Sequence, residues 1–141
     1  RLKRKGGLGL VVVDYLQLVA ADGQGERREE QVAQVTRRLK TLARELDVPV
    51  LCLAQLNRQA EATPTTRPML SHLRESGAIE QAADVVLFIH RADMHRTEGF
   101  DNQAELIVAK NRNGPTGTVK LAWSREHTRF DNLAHRHGGE F

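Results

Sequence analysis

Leu10-Val11-Val12-Val13-Asp14-Tyr15-Leu16-Gln17-Leu18 is the stretch that decides the fold. Its β-branched and aliphatic residues run without polar alternation, which predicts a strand buried on both faces, as in a parallel α/β sheet. The strand is expected to end on Asp14. Ligands gather at the carboxyl ends of strands in open α/β sheets, so a carboxylate here is placed for chemistry. The residues alone leave a second reading equally open, in which Asp14 only caps the next turn.

Downstream of this run, Asp22-Gly23-Gln24-Gly25 reads as a loop. From residue 26 to 46 the apolar positions Val32, Val35, Leu39, Leu42 and Leu46 recur at steps of three and four. That spacing predicts an amphipathic helix with one apolar stripe, acidic residues early and basic residues late, as the helix dipole prefers. The stripe is too short for a dimerising coiled coil, so packing on the sheet is the expectation. Residues 48–54 predict a second buried strand, with Pro49 tolerated near its start. It ends on Gln55, and a loop is expected over residues 63–68. Residues 69–83 read as mostly helical but interrupted at Gly77, so a helix–loop–helix is expected rather than one rod.

A third buried strand is predicted over residues 84–89, followed by a polar loop over 90–103. Residues 105–109 and 118–123 then form a hairpin around Asn113-Gly114-Pro115-Thr116-Gly117, with a last short strand near 128–131. The tail 135–141 reads as disordered. Strand and helix alternate and then give way to an antiparallel edge, which is α/β. This layout would set Asp14, Gln55 and His90 along one rim.

Composition bounds the function. The 141 residues are one domain's worth of chain, with 40% hydrophobic and 28% charged residues. No apolar run approaches the ~20 residues needed to cross a membrane, and no signal-peptide pattern opens the chain. Cys52, the single cysteine, lies in an apolar run, which reads as a small buried hydrophobe in a reducing compartment, the cytoplasm. A net charge of +3 mildly favours a polyanionic partner, while an aromatic content of 4% argues against a base-stacking platform. Phosphate contacts would then dominate any nucleic-acid binding. His90, His95, His135 and His137 have no clustered Cys, Asp or Glu to complete a zinc site.

Five segments in order resemble the bacterial replicative DNA helicases, the DnaB family, in their RecA-like motor domain. They are Val13-Asp14-Tyr15-Leu16-Gln17-Leu18, Leu39-Lys40-Thr41-Leu42-Ala43-Arg44-Glu45-Leu46 and Ala54-Gln55-Leu56-Asn57-Arg58. Then come Arg67-Pro68-Met69-Leu70-Ser71 with Leu73-Arg74-Glu75-Ser76-Gly77-Ala78-Ile79-Glu80-Gln81, and Ala109-Lys110-Asn111-Arg112-Asn113-Gly114-Pro115-Thr116-Gly117. The likeness spans residues 8–134. It implies part of a RecA-like P-loop NTPase core, with a largely parallel sheet flanked by helices and an antiparallel β-hairpin at its edge.

The resemblance also implies roles. Asp14 corresponds to the Walker B aspartate, which supports the Mg²⁺ of bound ATP through its water shell. Gln55 corresponds to a residue that senses the γ-phosphate, for which a neutral amide suits; by itself it reads as a surface residue after a strand. Lys110 and Arg112 match an arginine finger and its companion, which reach the neighbouring subunit's nucleotide and neutralise charge on the transferring phosphoryl. Without the resemblance they read as solvated cations. Arg74, Glu75 and Gly77 match a loop that lines the central channel and grips single-stranded DNA. There Arg74 would pair with a phosphate and Gly77 would let the backbone approach one. Glu75, an anion, either belongs to that contact or only orients Arg74.

The chain has no G-x-x-x-x-G-K-[ST]; Lys5-Gly6-Gly7-Leu8-Gly9 lacks the spacing and the following Lys-Ser/Thr. The glutamate that activates the attacking water in this family, and the collar domain that meets primase, also have no counterpart. A start at Arg1 rather than Met fits a piece of a longer protein. By resemblance, the parent is a homohexameric ring that uses ATP and Mg²⁺, moves 5′ to 3′ on single-stranded DNA at the replication fork, and meets primase and a helicase loader. The alternative is an ATPase-inactive stand-alone module that binds single-stranded DNA or modulates a ring. A RecA-type recombinase is a more distant reading, against which segments 74–81 and 110–117 speak. The isolated chain is expected to hydrolyse no ATP and to expose sheet and helix surface.

Overall fold

The computed structural model describes residues 6–19, 28–57, 67–92 and 102–133, which form two compact units. In the first, β1 (Val11–Val13) pairs in parallel with β2 (Val50–Cys52), with Val12 opposite Leu51. Between them come α1 (Leu16–Val19) and α2 (Arg28–Leu46). The strand stops just before Asp14, close to the expected end, and the residues after it are helical. Its β-branched residues stop at Val13, and Leu16-Gln17-Leu18, better helix formers than valine, turn into α1.

Burial corrects the second expectation for these strands. Val12 is 56% exposed and Leu51 48%, so one face of the β1–β2 pair is open in this chain and only the other is covered. The covered face meets α2. Leu16 and Val32, each 2% exposed, centre a cluster joined by Val35, Leu39, Cys52, Ala54 and Ile79. The predicted stripe of α2 is thus its buried face, with Glu29 and Glu30 in the first turn and Arg44 in the last. Thr36 sits on that face, and its hydroxyl is satisfied by donating to the Val32 carbonyl at 2.7 Å.

A Schellman motif ends α2. The Val48 N–H donates to the Ala43 carbonyl and the Asp47 N–H to the Arg44 carbonyl, both at 3.2 Å, with Asp47 at φ 48°. Val48, 8% exposed, then turns the chain into β2. The segment after β2 leads to a 3-10 helix, η1 (Leu70–Ser76), and to α3 (Gly77–Ala82). The interruption expected at Gly77 is present, but the two helices abut there and the expected loop is absent. A second kink lies at buried Leu73.

The other unit is a four-stranded antiparallel sheet in the order β3 (Val85–His90), β4 (Gln103–Asn111), β5 (Gly117–Ser124), β6 (Arg129–Asn132). The predicted β4–β5 hairpin and last strand are present, but β3 departs from expectation. It pairs with β4 rather than joining β1 and β2, so β1–β2 is the one parallel pair among the described residues. The rim expected to join Asp14, Gln55 and His90 therefore unites Asp14 and Gln55, while His90 ends a strand of the other sheet. Nor is β3 buried on both faces. Val86 and Phe88 are 8% and 5% exposed, whereas Val85, Leu87 and Ile89 are about half exposed, the alternation of a one-faced sheet.

Ala104 completes that core, and the Arg91 guanidinium lies 4.5 Å over the Trp123 ring, itself 4.6 Å from Phe130. Arg67 closes on the sheet through an ion pair to Glu105 at 2.7 Å. The loop 22–25, most of the loops 63–68 and 90–103, His95 and the tail 135–141 lie outside the described residues. Among the described residues no helix is long and apolar enough to cross a membrane.

Candidate functional site

Asp14 and Gln55 leave the same end of the two parallel strands. Main-chain bonds carry the pairing past the strands proper: the Leu53 N–H donates to the Val13 carbonyl and the Leu16 N–H to the Leu53 carbonyl, both at 2.9 Å. The Asp14 carboxylate is exposed, as is Gln55. Tyr15, Leu53, Ala54 and Gln55 line an open cavity of ≈ 300 Å³. An exposed carboxylate beside a concave rim fits a divalent cation held through water.

Gln17 joins the two sides. Its Nε2 donates to the Gln55 carbonyl at 3.0 Å, and its Oε1 accepts the Gln55 N–H at 3.2 Å. Nothing local in the sequence assigns Gln17 this role, because its partner lies 38 residues away. The only local signal is an amide set among apolar neighbours just after a strand. Beyond Gln55, the Asn57 N–H donates to the His72 carbonyl at 3.2 Å, tying this segment to η1.

Arg74 and Glu75 stand in η1, and Gly77 opens α3. The side chains of Arg74 and Glu75 lie outside the described residues. Gly77 is exposed, and a Cβ built on it would meet nothing within 4 Å. The fold itself therefore makes no demand for glycine here.

Lys110 and Arg112 belong to the other unit. Val86 pairs with Lys110 but Leu87 pairs with Val108, so Ala109 is the extra residue of a bulge that re-aims the strand just before the cations. Asn111 organises the turn beyond. Its Nδ2 donates to the Pro115 carbonyl at 3.2 Å and its Oδ1 accepts the Asn113 N–H at 3.3 Å. A Cβ on Gly114 would fall 2.7 Å from that Nδ2, so another residue there would displace the Asn111 side chain from these bonds. Arg112 is exposed, and its Nη1 donates to Asp84 Oδ1 at 2.9 Å. Asp84 is a second residue whose part is not legible in the sequence. By pattern alone it reads only as the start of a strand.

Cys52, beneath the rim, is half-buried, and burial pushes its thiol pKa up. It serves packing rather than nucleophilic chemistry.

The chain is similar to known proteins. The family model for the DnaB-like helicase C-terminal domain matches residues 1–132. The replicative DNA helicase DnaB of Geobacillus stearothermophilus is 49% identical over 138 residues, which are 96% of this chain and 30% of that protein. The replicative DNA helicase DnaC of Bacillus subtilis is 48% identical over the same share of each. Among solved structures, an isolated ATPase domain superposes with a TM-score of 0.85 at 47% identity, over 94% of this chain and 48% of that one. A DnaB-like replicative helicase, solved to describe its interactions with primase, also gives a TM-score of 0.85 over 94% of this chain and 33% of its own. The chain thus spans about a third of the length of its curated relatives. Its parallel pair, antiparallel sheet and covering helices are part of the α/β, RecA-like ATPase fold of those structures. The chain belongs to the DnaB-like helicase C-terminal domain family.

Proposed function

We propose that this chain supplies the Asp14–Gln55 side of an ATP site in a hexameric replicative DNA helicase. One observation carries the reading. Asp14 and Gln55 leave neighbouring parallel strands at the same end, beside one cavity, in a chain 49% identical to a replicative helicase. Asp14 would hold Mg²⁺ through water, and Gln55 would meet the γ-phosphate side of ATP. Bound Mg²⁺ supplies positive charge to the β- and γ-phosphates as the terminal bond breaks.

Arg112, with Lys110, acts on the nucleotide of a neighbouring subunit, which makes a ring necessary for turnover. Arg74 and Gly77 contact the phosphates of single-stranded DNA, and Glu75 orients Arg74. Phosphate contacts carry no sequence information, as translocation requires. Primase and a helicase loader are the further partners, and the cytoplasm is where a replication fork puts the protein. No observation favours the stand-alone DNA-binding alternative.

The test is Asp14→Asn in the native full-length product. ATP turnover should fall on the order of 10² to 10³, with the Mg²⁺ concentration for half-maximal turnover raised. Wild-type turnover and Mg²⁺ dependence would remove Asp14 from the site.

A further inference from the structure

We propose that Gln17 is a positioning residue for Gln55. The proposal rests on the nucleotide-sensing reading of Gln55 and names the group that fixes it. The geometry is that of a ladder continued by a side chain. In a parallel pair, every second residue of a strand offers both its N–H and its C=O to the main chain alongside it. Leu53 does this with Val13 and Leu16. At the next such position the main chain of the first strand has already turned into α1, and among the described residues no peptide stands opposite Gln55 to meet it.

Gln17, the second residue of α1, fills that place with its side-chain amide. It donates to the Gln55 carbonyl at 3.0 Å and accepts from the Gln55 N–H at 3.2 Å. A primary amide has the donor and acceptor of a peptide on one planar group. Glutamate, of the same size, only accepts when ionised and would face the Gln55 carbonyl with a second anion-like oxygen. Asparagine is one methylene short. Alanine leaves both Gln55 groups to water.

The base of α1 is itself fixed, because Leu16 is buried in the core and its N–H is bonded to Leu53. Gln17 therefore refers the main chain of Gln55 to the same short segment that carries Asp14. A sensing amide and the metal-supporting carboxylate are held in one frame, so that a displacement of about 1 Å at Gln55, which can cost up to 10²-fold in rate, is prevented.

The test uses the native full-length product and its Gln17→Ala, Gln17→Glu and Gln55→Ala variants. Steady-state ATP turnover is measured against ATP concentration with saturating oligothymidine, alongside hydrogen exchange of the peptide covering residues 53–57. Both Gln17 variants should lower kcat about tenfold with KM for ATP within about twofold, and Gln17→Ala should speed exchange at Gln55. Wild-type kcat in Gln17→Glu would overturn the proposal, because the loss would then track volume rather than the missing donor. A raised KM at unchanged kcat would overturn it too, making Gln17 a ground-state binding group. If Gln55→Ala itself turned over like wild type, the sensing reading of Gln55 would fall and this proposal with it. A slow Gln55→Ala beside wild-type Gln17 variants would sink the positioning role alone.

Discussion

Arg112 meets Asp84 twice: its backbone N–H donates to the Asp84 carbonyl at 2.8 Å, and its Nη1 donates to Asp84 Oδ1 at 2.9 Å. The backbone bond anchors the base of the hairpin, and the ion pair holds the guanidinium beside the start of β3. Both side chains are about half exposed, 48% for Arg112 and 51% for Asp84. Such a pair contributes less than about 1 kcal/mol to folding. Removing the guanidinium should therefore be felt in catalysis rather than in stability. Arg112→Ala in the native full-length product should lower ATP turnover on the order of 10³ while nucleotide binding and the thermal midpoint stay close to wild type. In rings mixed from wild-type and variant subunits, activity should fall faster than the variant fraction, and a linear decline would contradict action on a neighbour.

At Gly77 the fold and the proposed DNA contact make separate demands, so one substitution can test the second without disturbing the first. The added methyl of Gly77→Ala meets open space, so stability should be unchanged or raised by up to about 1 kcal/mol. Affinity for single-stranded DNA should nevertheless drop, because the Cβ stands where a phosphate would approach the backbone. Arg74→Ala should weaken binding equally on every sequence and reduce the salt slope by about 0.7. Fluorescence anisotropy over a salt series reads both. Wild-type affinity in Gly77→Ala would move the DNA elsewhere.

The end of α2 holds a site for stabilisation. Asp47 occupies the left-handed conformation at φ 48°, which costs an ordinary L-residue roughly 1–2 kcal/mol, and it puts a negative charge at the helix C-terminus. Asp47→Gly should raise stability by about 0.5–1 kcal/mol after glycine's extra unfolded-state freedom is subtracted. Chemical denaturation measures it. A destabilised variant would mean that the Asp47 side chain contributes more than its backbone strain costs.

Cys52 gives a pH dependence with a definite sign. Burial raises its thiol pKa in the folded protein, so the folded state binds the proton more tightly than the unfolded chain. The associated stability is fully present below the unfolded pKa of about 8.5 and is lost as pH rises through the higher folded value. Alkylation by iodoacetamide should accordingly be slower in the folded protein at pH 8.5 than in denaturant. Cys52→Ser should flatten the alkaline part of the stability profile. Equal alkylation rates would show the thiol to be solvated.

The chain of residues 1–141, purified by itself, should hydrolyse no ATP, because it has no glycine-rich phosphate cradle followed by Lys-Ser/Thr. It should also self-associate. Val12 and Leu51 lie side by side on the open face of the parallel pair, at 56% and 48% exposure. Val12→Thr with Leu51→Thr should shift sedimentation toward monomer. ATP turnover sensitive to Asp14→Ala would require a phosphate site elsewhere in the chain.

By itself the sequence determined what is local and periodic. The α2 stripe, its charge order and the β4–β5 hairpin follow from spacing and turn chemistry, which act over a few residues. The ordered motifs were enough to point to the family. Tertiary structure alone decided the rest. The first strand reads as ending on Asp14, but that the chain passes at once into α1 and buries Leu16 against Val32 was not legible. Residues 84–89 read as a buried parallel strand, yet β3 chose β4, since strand pairing is settled by hydrogen-bond partners distant in the chain. Gln17 reached Gln55 across 38 residues, and Arg112 reached Asp84 across 28. Local pattern records which side chains can bond. Only the folded chain sets which of them meet.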